Sequence, residues 1–335
     1  MSHKTIILAM PPTNGLVELI EENLKFHGFK VLRVDSILQF KYKNLMERLC
    51  QFFYKQIYQS NRYKKQLKEK QSLSKAQKLL SNIQYEYTLV IRPDIFSEQV
   101  LTLLKKHTKR KLIGYQWDGL KRFPVKNIIH LFDQFFVFDN NDLTNPDYKH
   151  VQLKCTTNFY FDMIKPNKNH NKKLLAYYIG DHQACRVNAI EKCAEKLKEN
   201  GINIKFIIPT SKTSDIKCYQ SNHIIFGKIN RLSYNDNLKN VNEADILVDF
   251  VIARHNGLSF RHFEALYFKK KLITTNKHIK SYDFYHPNNI FIWDGENLDN
   301  LNEFLNKPIV PISSHIVEKY SFKEWINGIL EIEEI

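Results

Sequence analysis

The chain has 335 residues, enough for one large core or two ordinary ones, and two is the better expectation at this length. Apolar content of 43%, with only 10 Gly and 10 Pro, is that of a soluble globular protein and excludes extended disorder. Lys and Arg outnumber Asp and Glu by 50 to 35, and a net charge of +15 implies an anionic partner: nucleic acid, an acidic membrane surface or a phosphorylated substrate.

Thr5-Ile-Ile-Leu-Ala-Met10 is too short for the apolar core of a signal peptide and meets Pro11-Pro12 at once, so a first strand is expected there. A loop over Pro11–Gly15 leads to an amphipathic helix over Leu16–His27, and Gly28 falls where a helix end favours a left-handed residue. Lys30–Val34 is a second strand, and residues 38–83 form a long, basic, aromatic helical region. Strands follow at Tyr87–Ile91, Lys111–Tyr115 and Phe135–Phe138, with a helix at Ser97–His107. Over 151–172 the pattern weakens, and Lys165-Pro-Asn-Lys-Asn-His-Asn-Lys-Lys173 has the polar, charged composition of a linker.

Alternation then restarts. Strands are expected at Leu174–Ile179, Asn203–Ile208, His223–Phe226, Ile246–Phe250, Leu272–Thr275 and Ile290–Trp293. Helices are expected at Cys185–Asn200, Tyr234–Glu243, Leu298–Leu305 and Phe322–Leu330. Strands alternating with helices argue for parallel sheets covered on both faces. The expected architecture is α/β: two doubly wound domains facing a cleft, with a basic helical insertion in the first. Residues 1–160 form the first domain, with 38–83 inserted, and 161–173 the linker. Residues 174–318 form the second domain and 319–335 a C-terminal helix. Five scattered cysteines suggest reduced thiols in a cytoplasmic protein, and no run approaches the length of a membrane span.

The most informative stretch is Gly257-Leu-Ser-Phe-Arg-His-Phe-Glu264-Ala-Leu, preceded by the apolar run Asp245-Ile-Leu-Val-Asp-Phe250. A strand, a Gly/Ser loop and a helix start place unpaired N–H groups at the carboxyl edge of a sheet, where phosphate is attracted. Glu264 lies seven residues after Gly257, about two helical turns on and on roughly the same face. An acidic group behind a phosphate site suits the paired hydroxyls of a ribose. The same pattern also fits an ordinary loop–helix–strand unit with a solvated Glu.

Two doubly wound halves, the second carrying Gly180-Asp181-His-Gln-Ala-Cys-Arg186 and Gly257-Leu-Ser259…Glu264, resemble the GT-B class of glycosyltransferases, built from two Rossmann-like domains. The resemblance implies a donor site in the second half and an acceptor site in the first. Gly180 and Asp181 would lie at the diphosphate, Arg186 would pair with phosphate, and Glu264 would bind ribose. Retaining members often carry a second Glu eight residues earlier. Here that position is Asn256, a departure that leaves the stereochemistry open, and Arg254 and His255 could contact sugar or phosphate instead.

Sugar transfer needs a stabilised leaving group, an activated acceptor hydroxyl and exclusion of water. The leaving-group candidates are Arg186, Arg254, Arg261 and the amides of Gly257, Leu258 and Ser259. No metal site and no cofactor are expected, the nucleotide sugar being a co-substrate; Asp245 and Asp249 flank a buried strand rather than form a metal-binding pair. Asp94 and Asp118, on loops after strands of the first half, are candidate bases, or alternatively ordinary turn and cap residues. Trp117 beside Asp118 could stack a sugar, and Asn14-Gly15 is a third acceptor-side loop. His182 and His262 are more readily surface or packing histidines, and Arg261 reads equally as a solvent-facing helix residue.

Between Lys41 and Lys78 there are eleven Lys/Arg against two Glu, interleaved with Phe40, Tyr42, Phe52, Phe53, Tyr54, Tyr58 and Tyr63. Three readings stay open: a hairpin packed on the first sheet, an anionic membrane surface, and nucleic acid, for which no binding signature supports the case. The expected function is therefore a cytoplasmic glycosyltransferase, peripheral on the inner face of the membrane if the second reading holds. It would use a nucleotide-sugar donor and a glycan or lipid-linked acceptor, as in lipopolysaccharide or capsule synthesis. The alternatives are a sugar-nucleotide epimerase of the same layout and a non-enzymatic polyanion-binding protein.

Overall fold

A computed structural model describes residues 4–81, 84–167, 173–227, 232–251 and 257–332. They fall into two compact units, the first drawn from 1–13, 20–137 and 142–155, the second from 14–19, 138–141 and 156–335.

The first unit is built on β1 (Lys4–Ala9), β2 (Phe29–Arg33), β3 (Tyr85–Ile91), β4 (Thr108–Gln116), β5 (Gln134–Val137) and β6 (Leu153–Cys155). All pair in parallel, in the order β2-β1-β3-β4-β5-β6. Ile6, Ile7, Leu8 and Ala9 of β1 are fully buried, which explains why the strand is apolar throughout instead of alternating. Its helices are α1 (Leu16–Phe26), whose first turn groups with the second unit, α2 (Leu45–Tyr58), α3 (Arg62–Leu80) and α4 (Glu98–Lys106). Gly28 closes α1 at φ +82°, the left-handed geometry expected from its place in the sequence. Ser97 caps α4 by accepting from Val100 N–H, and the helix buries Val100, Leu101 and Leu104.

The second unit holds β7 (Leu175–Ile179), β8 (Asn203–Ile208), β9 (Ile224–Phe226), β10 (Ile246–Asp249), β11 (Lys271–Thr274) and β12 (Ile290–Ile292). These too are parallel, in the order β12-β11-β10-β7-β8-β9. Counted from β7 the order is 6-5-4-1-2-3, that of dinucleotide-binding doubly wound sheets. Its helices are α5 (Val187–Glu199), α6 (Thr213–Ile216), α7 (Tyr234–Glu243), α8 (Phe260–Tyr267), α9 (Leu301–Asn306), α10 (Ser314–Lys319) and α11 (Phe322–Leu330). Ile190, Cys193, Ala194 and Leu197 of α5 join Ala176, Phe206, Ile246 and Ile273 in its core.

Most expected elements shift by only a residue or two, and α7 and α11 fall on their expected bounds. Three features differ. The helical region 38–83 breaks into α2 and α3 at Gln59, whose φ of +47° reverses the chain ahead of Ser60 and Asn61. β6 had no sequence signal, because three half-buried residues cannot display a period. The described part of the stretch expected as a linker is pinned to the second unit: Asn167 N–H donates to Asn242 Oδ1 at 3.0 Å and Lys323 N–H to Asp162 Oδ2 at 3.0 Å.

Candidate functional site

In an open parallel sheet, loops leaving neighbouring strands diverge where the strand order reverses, opening a crevice at the carboxyl edge. In the second sheet that point lies between β7 and β10. The loop after β7 carries Gly180 and Asp181, and a turn at Ala184–Arg186 leads into α5. The chain after β10 resumes at Gly257, Leu258 and Ser259 before α8; Arg254, His255 and Asn256 lie outside the described residues.

Gly180 is required by close packing. A β-carbon there would meet the Tyr178 hydroxyl oxygen at 2.3 Å and Cζ at 2.8 Å, because the ring lies across the position. Tyr178 is 2% exposed and no hydrogen bond of good geometry reaches its hydroxyl; the Nε of half-buried Arg186 is also unpartnered. Burial pushes the Tyr178 pKa up, with the Arg186 charge opposing. Asp181 is exposed.

Ser259 stands at the N-cap of α8 without capping it. Its hydroxyl donates instead to Asp249 Oδ1 at 2.7 Å and lies 3.1 Å from His262 Nδ1. His262 Nε2 lies 3.2 Å from Thr274 Oγ1, which in turn donates to Asp249 Oδ2 at 3.4 Å. A buried polar network thus ties the ends of β10 and β11 to α8. It consumes the side chain at the cap position; His262 N–H turns back to Ser259 O at 3.2 Å, and the amides of Phe260 and Arg261 are left without a side-chain cap. Burial lowers the pKa of His262 and keeps it neutral. Leu258 is held by its carbonyl, which accepts from Asn158 Nδ2 at 2.9 Å.

Arg261 and Glu264, one turn apart on α8, form a buried ion pair with Nε 3.5 Å from Oε2. Tyr234 Oη donates to Glu264 Oε1 at 2.8 Å. Arg261 lies over the Tyr177 ring, 5.3 Å from its centroid, and Tyr177 Oη donates to Asn237 Oδ1 at 2.9 Å. Glu264 Oε2 and Arg261 Nε and Nη1 make no hydrogen bond. Burial raises the Glu264 pKa against the opposing charge of Arg261. For Arg261 burial acts downward and is the largest single effect, but Glu264, Tyr177, Tyr234 and Asp249 together outweigh it and the pKa rises. Arg261 is not the solvent-facing helix residue that was the alternative: its side chain is only 11% exposed. A buried ion pair with unsatisfied atoms is costly by itself and suits a ligand that completes it.

In the first sheet the order reverses between β1 and β3. Arg92, at the end of β3 with φ +59°, gathers both candidate bases. Its Nε and Nη2 each bond Asp94 at 2.8 Å, and its Nη1 reaches Asp118 Oδ2 at 3.2 Å. The guanidinium lies 3.6 Å above the Phe123 ring. Gln116 Nε2 donates to Asp94 Oδ1 at 2.8 Å. Burial acts to raise the Asp94 pKa, but the bonds from Arg92 and Gln116 outweigh it and hold it below the usual carboxylate value. Asp94 is therefore a saturated, ionised anchor and a weak proton acceptor. Asp118 makes one contact to Arg92 and one, at 3.3 Å, to Arg122, with half-buried Trp117 beside it. Asn14 and Gly15, at φ 29° and 84°, form the turn into α1 and group with the second unit.

Arg92, Tyr178 and Tyr234 escaped sequence reasoning, and Asp249 entered it only as a residue flanking a buried strand. The available signal was weak: Arg92 ends an apolar run before Pro93, and Tyr234 follows the helix cap Ser233.

No protein-family model matches the chain, and no curated protein matches it. Solved structures do. A glycosyltransferase from Rickettsia africae ESF-5 superposes with a TM-score of 0.56 at 12% identity, covering 99% of this chain and 98% of that one. The apo form of the lipopolysaccharide outer core galactosyltransferase WaaB gives 0.51 at 11%, covering 98% and 99%. A Listeria monocytogenes protein named as a UDP-N-acetylglucosamine 2-epimerase gives 0.50 at 10%, covering 100% and 98%. The fold is thus the GT-B fold, with one Rossmann-like sheet in each unit.

Proposed function

We propose that the protein is a glycosyltransferase that moves a sugar from a nucleotide-sugar donor to a glycan or lipid-linked acceptor. The observation that carries this reading is the Arg261–Glu264 pair, buried at the switch point of the second sheet with Oε2, Nε and Nη1 unsatisfied. A ribose hydroxyl donating to Glu264 Oε2 and a phosphate oxygen accepting from Arg261 would complete both groups. The start of α8, which has no side-chain cap, and the unpartnered Nε of Arg186 support a diphosphate between them. Leaving-group charge is then stabilised by arginines and helix amides, without calling on a metal. In the first unit, Asp118 is the better candidate for the base that takes the acceptor proton, because Asp94 is saturated by Arg92 and Gln116. The full-length likeness to a lipopolysaccharide galactosyltransferase favours a cytoplasmic role in building a surface glycan, lipopolysaccharide or capsule. The likeness to a protein named as an epimerase favours a second reading, isomerisation of the donor.

The test is a thermal-shift screen against UDP, GDP, CMP and ADP and their sugar conjugates. Ligand at 100 times its Kd adds about 2.7 kcal/mol to the native state. A selective rise with one base is expected, and Glu264→Gln should weaken that binding by about tenfold or more. Unchanged affinity of this variant for every nucleotide sugar that binds the parent would overturn the ribose assignment. A donor converted with no acceptor present would favour the epimerase. No rise with any nucleotide would remove the donor site altogether.

A further inference from the structure

α2 is amphipathic, yet it is turned inside out. Leu45, Met46, Leu49, Phe52, Phe53 and Ile57 are 75%, 67%, 48%, 56%, 57% and 69% exposed, while Gln51 on the opposite side is 6% exposed. At 100° per residue these six side chains fall within an arc of about 140°, interrupted only by exposed Gln56. Gln51 is held down by donating through Nε2 to Asn61 Oδ1 at 3.2 Å. A surface helix ordinarily buries its apolar stripe. This one offers the stripe to water, which marks a surface built to be covered.

Charge says by what. Eleven Lys/Arg stand against two Glu between Lys41 and Lys78. Both acids are spent locally: Glu47 accepts from Lys43 N–H at 2.8 Å, and Glu69 lies 3.9 Å from Lys65. Arg48 and Lys55 fall along one edge of the apolar arc, and both are exposed. A second copy of this chain would bring like charge against like charge. Nucleic acid would find cations, but Leu45, Met46, Leu49 and Ile57 have no ring face for a base. Acyl chains flanked by anionic headgroups meet both features.

We propose that α2 is a docking helix that lies in the interface of a bilayer containing anionic lipid. Its aliphatic and phenyl side chains enter the acyl boundary, and Arg48 and Lys55 stay at the headgroups. The proposal does not rest on the donor site, since docking is read without nucleotide. The full chain would be sedimented with vesicles of phosphatidylcholine alone and with phosphatidylglycerol added. Binding is expected to the anionic vesicles, to weaken with salt, and to fall about fivefold in Lys55→Gln. The double variant Leu49→Asp/Phe53→Asp should lose binding at least tenfold with an unchanged Tm, both side chains being exposed. Phe53→Trp supplies a reading that needs no disruptive change: its emission should move to shorter wavelength when anionic vesicles are added. Absence of that shift, vesicle binding by the double variant equal to the parent's, or a parent dimer that the double variant abolishes would each overturn the proposal.

Discussion

His262 shows how a single side chain sets the candidate site without touching a ligand. It is 1% exposed, and its two ring nitrogens lie at 3.1 Å and 3.2 Å from the hydroxyls of Ser259 and Thr274. Burial lowers its pKa, so the folded state binds its proton less readily than the unfolded chain. The sign follows from linkage. The neutral form's stability is complete above the unfolded value of about 6.5 and declines as pH falls below it toward the lower folded pKa. Urea midpoints measured from pH 7.5 to 5 should therefore drop on the acid side, and more shallowly in His262→Gln. Equal slopes in parent and variant would show that other groups carry the acid sensitivity.

At the scale of elements, Ser233, Ser313 and Ser321 cap α7, α10 and α11, whereas α3, α5, α6, α8 and α9 start without a side-chain cap. Ser321 is 3% exposed and accepts from Glu324 N–H at 3.1 Å, fixing α11 where Phe322 and Trp325 pack with Phe159. The adjoining backbone is bonded both ways, Tyr160 N–H to Tyr320 O at 3.1 Å and Phe322 N–H to Tyr160 O at 2.9 Å. Ser321→Ala should cost about 1–2 kcal/mol, near the upper range for a cap because the capping hydroxyl is buried. The exposed cap Ser313, with its longer 3.5 Å bond, serves as the control and should cost less when changed to Ala. Equal losses in chemical denaturation would show that burial does not matter here. Ser259 is the contrast, a residue at the cap position whose hydroxyl is diverted to Asp249.

Across the whole molecule the two units hold separate cores, one around Ile7, Val90 and Leu112, the other around Phe206, Ile246 and Ile273. A donor nucleotide held by the second unit should therefore leave a local footprint. Hydrogen exchange with and without saturating nucleotide is expected to slow in Tyr178–Arg186 and Gly257–Glu264, by up to about a hundredfold at 100 times the Kd. Exchange in α2 and α3 should be unchanged. Protection confined to the first unit would move the donor away from the second sheet. Among the described residues no helix is long and apolar enough to cross a membrane.

The sequence by itself determined the order and kind of most elements, because apolar runs such as Ile6–Ala9 and Leu247–Val248 and the glycine at 28 act over a few neighbouring residues. It also marked Glu264 by its seven-residue spacing from Gly257, while Gly180 and Arg186 came in only through the resemblance to GT-B glycosyltransferases. Which side of a helix meets water was not legible. α2 has the period of a core-facing helix, and only packing against the polar Gln51 side turned its stripe outward. Nor were the partners legible. Asp94 and Asp118 look alike in the chain, yet Arg92 saturates the first and touches the second once. Glu264 meets Tyr234 across thirty residues for the same reason. Local pattern follows from neighbours along the chain, whereas burial, protonation and unfilled hydrogen bonds arise from atoms that only folding brings together.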